Sequence, residues 1–230
     1  MRLRCKGICD FAHSPHAMTM RLVFALVAAA LGALAGAANA DDYALQRQRC
    51  GLEAKPRLPD PQMLEACTAV IDARKETPQD LARAYVNRGD AWRLRERAID
   101  RAIADYDEAI RLRPDFALAF AGRGFTYLFE RRNPDRAIQD FDEAIRLDST
   151  SAVVFYYRAT AYADKGALDR AIADFDQAIR LKPDFSNAYR DRGQAKQAKG
   201  DLVGAAADLA RAESTGSRTP ACDRGTGCGR

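Results

Sequence analysis

Sixteen residues starting at Arg101, R-A-I-A-D-Y-D-E-A-I-R-L-R-P-D-F, return in close variants from Arg136 and Arg170, at spacings of 35 and 34 residues. A unit restarting at this period cannot enclose a core of its own. It has to lean on its neighbours, so the chain is restricted to a stack of supersecondary units, a solenoid, rather than a globule around one centre. Within the first copy Ala102, Ile103, Tyr106, Ala109, Ile110 and Leu112 fall on one helical stripe, while Arg101, Asp105, Asp107, Glu108 and Arg111 alternate in sign around it. This predicts an amphipathic helix. Pro114 and Pro183 end it, because proline has no amide hydrogen and disfavours helical geometry in the residue before it. A second helical stretch precedes each copy, from about Arg83 to Leu94, Leu118 to Phe129 and Val153 to Asp164, so each repeat is a predicted helix pair.

Across both helices the same residue types recur at fixed places: Tyr85, Gly89, Trp92, Ala102, Tyr106, Ala109 and Pro114 in the first copy, and Phe120, Gly124, Tyr127, Ala137, Phe141, Ala144 and Ser149 in the second. The third carries Phe155, Ala159, Tyr162, Ala171, Phe175, Ala178 and Pro183; a weaker fourth carries Tyr189, Gly193, Lys196, Ala205, Leu209 and Ala212. The chain resembles the tetratricopeptide repeat family over roughly residues 82 to 216. The resemblance implies an all-α fold, an α-solenoid of stacked helix hairpins with repeats at 82–116, 117–151, 152–185 and 186–216. Gly or Ala at the crossing would let two helix backbones approach, with the large aromatics filling the space beside them. The first two repeats hold one extra residue between their helices, around Arg95 to Arg97 and Arg131 to Asn133, so those turns should differ from the others. Lys196 in place of an aromatic marks a terminal repeat.

The N-terminus carries an apolar run from Leu22 to Ala35, preceded by Arg21 and followed by Ala38-Asn39-Ala40. It reads as a secretory signal peptide over residues 1–40, cut after Ala40, with translation starting at Met18 or Met20 and residues 1–17 outside the product. The run is short for a membrane span, so no membrane insertion is expected after cleavage, and the expected location is periplasmic or secreted. Residues 1–40 hold four basic side chains and one acidic, which leaves 32 basic and 31 acidic residues in the processed chain. That balance offers no concentrated positive patch for nucleic acid or an anionic membrane.

Cys50, Cys67, Cys222 and Cys228 remain after cleavage, an even number that invites disulfides in an exported chain. Four thiols allow three connectivities; the favoured one joins Cys50 to Cys67 and Cys222 to Cys228. The first bond would tie the segment 41–55 onto a helix from Gln62 to Arg74, whose Met63, Cys67, Val70 and Ile71 mimic the second helix of a repeat. Residues 41–81 are thus an N-terminal segment with a helix capping the first end of the stack. Three prolines within Pro56 to Pro61 read as a rigid connector, and residues 217–230 as a flexible tail.

Both histidines, His13 and His16, fall within residues 1–40, so the processed chain lacks the usual neutral-pH base and the commonest zinc ligand. No phosphate-cradling glycine loop is present. The acidic residues of the second helices read as a solvated face, and Asp148 to Ser151 as a turn and helix cap replacing Pro-Asp. No catalytic residue, metal site or cofactor is expected. Arg88, Arg123, Arg158 and Arg192 hold one place in all four repeats, and Asp105, Asp140, Asp174 and Asp208 another, which suggests a ladder of partly buried ion pairs within or between repeats.

By the family resemblance, first helices line a concave groove that takes extended peptides or partner helices. The groove-facing places are Arg83, Val86, Asp90, Arg93 and Leu94; Leu118, Phe125, Leu128 and Phe129; Tyr156, Thr160 and Asp164; and Arg190 and Gln194, with the arginines on the rim. The Lys and Asn clamp by which chaperone-tail binders of this family hold a carboxylate is not carried over, since Val86, Asp90 and Phe125 occupy those places. The expectation is a non-enzymatic protein-binding scaffold of the cell envelope. Alternatives are a self-associating subunit, a homodimer stacked through the fourth repeat, or a non-catalytic subunit recruiting an envelope enzyme.

Overall fold

The computed structural model describes residues 42–52 and 62–216; the expected signal peptide, proline connector and tail, and the expected bond of Cys222 to Cys228, lie outside the described residues. Among the described residues every regular element is helical: α1 (residues 42–49), α2 (Met63–Ala73), α3 (Pro78–Ala91), α4 (Ile99–Leu112), α5 (Ala117–Phe129), α6 (Pro134–Leu147), α7 (Ala152–Asp164), α8 (Leu168–Leu181), α9 (Ser186–Ala198) and α10 (Leu202–Gly216). From α3 on they pair as the repeat pattern requires. Each helix packs on the ones before and after it, and first helices also touch first helices, α3 with α5, α5 with α7, and α7 with α9. That continuous row is the inner wall of the stack.

Local chemistry sets the helix ends. Thr77 accepts the Asp80 amide at 3.2 Å ahead of Pro78, and Asn133 accepts the Arg136 amide at 3.1 Å ahead of Pro134, each filling one orphan donor of a helix start. The Asp148 to Ser151 segment differs from expectation: Asp148 accepts from the amide and hydroxyl of Thr150 and closes the turn, whereas the Ser151 side chain makes no cap. The inter-helix turns split as their lengths imply. Repeats three and four turn on Gly166 and Gly200 at φ 74° and 87°, where glycine pays no steric cost. The longer turns of repeats one and two place Arg97 and Arg132 at φ 49° and 53°, and in the first repeat a π-helical turn, Trp92–Glu96, absorbs the extra residue.

Packing repeats with the sequence. Tyr106, Phe141 and Phe175 are fully buried at one place in successive second helices, beside Ala102, Ala137 and Ala171. A Cβ built on Gly89 would stand 3.0 Å from the Tyr106 ring, and one on Gly124 2.9 Å from the Phe141 ring. Those crossings are as close as the sequence pattern demands, and larger side chains there would overpack them.

At the first end the bond between Cys50 and Cys67 joins α1 to α2. Both cysteines are buried with Met63, Ala66, Val70 and Ile71 against Ala84 and Ala91 of α3. The cap is therefore a hairpin of two helices, where the sequence led us to expect one helix and a segment tied to it. Tyr43 donates to Glu76 at 2.7 Å, Arg47 pairs with the same carboxylate at 3.1 Å, and Asn87 of α3 donates to the Cys50 carbonyl at 2.6 Å. No helix among the described residues is long and apolar enough to cross a membrane.

Candidate functional site

The wall is held rigid from behind. Arg88 meets Asp105 through two hydrogen bonds of 2.9 and 2.8 Å, and Arg123 with Asp140, Arg158 with Asp174 and Arg192 with Asp208 repeat that fork. The third guanidinium arm reaches the preceding repeat, from Arg123 to Asp107 at 2.5 Å, Arg158 to Asp142 at 2.7 Å and Arg192 to Asp176 at 2.5 Å. So the ladder exists and runs both within and between repeats. Burial alone would lower the Arg123 pKa, but the bonds to Asp140 and Asp107 outweigh it and hold the guanidinium above its ordinary value; Arg158 behaves likewise. In the last repeat Lys196, which occupies the aromatic place, adds a 2.8 Å bond to Asp208, and Arg192 and Lys196 together hold that carboxyl below its usual range against the opposing effect of burial.

On the wall itself, α5 presents Phe125 and Phe129 and α7 presents Tyr157. Their ring centres lie 4.6, 4.9 and 5.7 Å apart. Arg93, in the π-helical turn that follows α3, stacks on Phe125 at 4.5 Å. Phe129 stays 40% exposed and Leu118, one helix end away, 63%. Leu94 and Val153 are also exposed, so the middle of the wall is an apolar shelf roofed by aromatic rings. Beside it Asp90 accepts the Tyr106 phenol at 2.7 Å, and burial with that carboxylate raises the phenol's pKa. Toward the far end Tyr156 donates to Asp191 at 2.7 Å, its ring between those of Phe175 and Phe185.

Several expected wall residues stand elsewhere. Val86 and Leu128 are 6% and 2% exposed, so they are core side chains and offer no contact surface. Arg93 lies half-buried against Phe125 rather than on the rim. Arg83 is exposed but turned to the cap, donating to the Leu52 carbonyl at 3.4 Å. Arg190 stays on the rim, bonded to Asn187 at 3.1 Å. Thr160 and Gln194 face each other across a recess between α7 and α9. Sequence reasoning missed Tyr157 and Asp191, each one residue past an expected wall position; a wider helical wheel would have included both. Among the described residues no cluster of His, Cys, Asp and Glu is placed to hold a metal.

Two family models match the chain, one described as tetratricopeptide repeat over residues 80–152 and one as TPR repeat over residues 159–200. No curated protein sequence matches it. Among solved structures, the fold is similar to a MamA chain from Desulfovibrio magneticus RS-1, at 19% identity and TM-score 0.63, over 79% of this chain and 97% of that one. It is also similar to a crystal structure of MamA at 22% identity and TM-score 0.59, over 67% and 87% of the two chains. A third similar structure is the first TPR of Spaghetti (RPAP3) bound to the HSP90 peptide SRMEEVD, at 19% identity and TM-score 0.51, over 54% and 96%. With its repeats matched by family models and stacked as hairpins around close small-residue crossings, the chain belongs to the tetratricopeptide repeat family.

Proposed function

We propose that this protein is a non-enzymatic scaffold of the cell envelope that holds a peptide or helix of a partner protein along its inner wall. The observation that carries the reading is the ring cluster of Phe125, Phe129 and Tyr157, with Phe129 and, on the same helix, Leu118 open to solvent. Soluble chains rarely leave grouped aromatics uncovered without a partner to bury them. A solved relative in fold, the RPAP3 repeat domain, carries a bound peptide, which supports use of this architecture for polypeptide capture.

Export is part of the proposal. The apolar run from Leu22 to Ala35, the Ala38-Asn39-Ala40 site and the Cys50 to Cys67 disulfide, which persists in oxidising compartments, support it. N-terminal sequencing of the protein recovered from an envelope fraction should begin at Asp41; an intact N-terminus on the cytosolic protein would remove this half. For the groove, a random peptide library displayed on phage should return binders whose affinity falls at least tenfold with Phe129→Asp, under conditions where the melting curve of the variant verifies that it is folded. A library that returns no binder, or binders indifferent to that change, removes the groove.

A further inference from the structure

The inner wall has equivalent junctions whose chemistry differs. Between α5 and α7 the space is filled by Phe125, Phe129 and Tyr157, with the Tyr157 ring stacked 6.2 Å from that of Phe141. One repeat later the same places carry Thr160, Asp164 and Asp191, above Phe175. A hydroxyl and two carboxylates thus replace three rings. The room is left open as a recess of about 310 Å³ between α7, α8 and α9. Leu168, Phe175 and Ala195 give it apolar walls, and Asp164, Asp191 and Gln194 give it polar ones.

The carboxylates have no internal cation. Asp191 spends one oxygen on the Tyr156 phenol, and Asp164 is exposed with no ion-pair partner among the described residues. The nearby lysines are engaged elsewhere, Lys165 with Asp135, Lys196 with Asp208 and Lys199 with Asp169. A slot with an apolar lining and unneutralised carboxylates matches a side chain that is apolar along its stem and cationic at its tip.

We infer that the α7–α9 recess takes a lysine or arginine side chain of the groove-bound peptide, while an apolar residue of the same peptide rests on the Phe125 and Phe129 shelf one repeat away. This rests on the groove reading above and adds the chemical class of the partner: a segment with an apolar anchor and a basic residue at a fixed offset. The stem would lie on Phe175 and Leu168, and the cation between Asp164 and Asp191.

The test uses the processed chain and the tightest peptide selected from the phage library, acetylated and amidated at its ends so that neither terminus supplies charge. Selected sequences should share a Lys or Arg at a constant distance from an aliphatic or aromatic residue. Replacing that basic residue with norleucine, or Asp164 with Asn in the protein, should each weaken binding about tenfold, and the two together no further than either alone. Asp164 is exposed and holds no structural contact, so D164N keeps the fold; an unchanged melting curve verifies that. If Phe129→Asp abolishes binding while D164N and the norleucine peptide bind as tightly as their parents, the recess assignment is overturned and the groove stands. Should Phe129→Asp have no effect, both fall.

Discussion

The two ends of the stack are finished in opposite ways. At every internal junction two acidic residues of a second helix reach the next repeat: Asp107, Asp142 and Asp176 meet Arg123, Arg158 and Arg192, while Asp100, Asp135 and Asp169 meet Arg131, Lys165 and Lys199. The N-terminal cap keeps half of this outgoing face: Asp72 of α2 stands as far before Arg88 in the chain as Asp107 does before Arg123, and its charge adds to the pull of Asp105 on Arg88. The C-terminal helix discards it, with Val203, 84% exposed, and Ala210 where the two acids would stand. One end imitates a neighbour and is bonded shut; the other has shed the means of receiving one.

The largest loss of stability is expected in the middle of the stack. Arg123→Met leaves Asp140 and Asp107 without their shared partner and should cost about 3 to 5 kcal/mol in urea unfolding. The same change at Arg192 should cost less than half as much, because Lys196 still bonds Asp208 at 2.8 Å. Equal losses at both sites would mean that the terminal repeat is no different from an internal one. Opening the cap comes next: Cys50→Ser with Cys67→Ser frees a loop closed across 17 residues and should cost about 3 kcal/mol. Hydrogen exchange should then rise over residues 42–73 and stay unchanged in α9 and α10.

Alkali should act on the same end. Burial, reinforced by Glu76, pushes the Tyr43 phenol from 10.0 up to about 12 in the folded chain. A pKa raised on folding means that the protonated phenol's contribution is complete below pH 10 and is lost as pH rises through about 12. The stability advantage of the wild type over Tyr43→Phe, read by urea unfolding, should therefore be constant below pH 10 and shrink as pH rises through about 12. The smallest effect belongs to the far end: Val203→Asp restores the missing acid with nothing to receive it and should leave stability within about 0.5 kcal/mol of wild type.

What could be read from the residues follows the same division. The second helices repeat almost letter for letter, so their stripe, their buried ring and the aspartate that each sends to an arginine of the first helix were all legible in the residues. The first helices were legible as helices, through the crossing residues Gly89, Gly124, Ala159 and Gly193, but their inner faces vary from repeat to repeat and periodicity says nothing about them. Tyr157 and Asp191 were missed for that reason, and Val86 and Leu128 were placed on a surface they do not reach. The α1 segment D-Y-A-L-Q-R-Q-R shows no apolar stripe at all. It is helical because Tyr43 and Arg47 are gripped by Glu76 and the disulfide anchors its end, which are tertiary causes invisible to a local pattern.

The near-identity of the outer helices carries an evolutionary consequence. Because every internal hairpin bears the same docking charges fore and aft, a copied unit inserted by gene duplication would arrive already compatible with whatever lies on either side. Mutation could then remodel the ligand-facing helix of the newcomer without disturbing its mounting. Lineages of such a chain are free to lengthen or shorten, and to change what they grasp, by editing one face while inheriting the other.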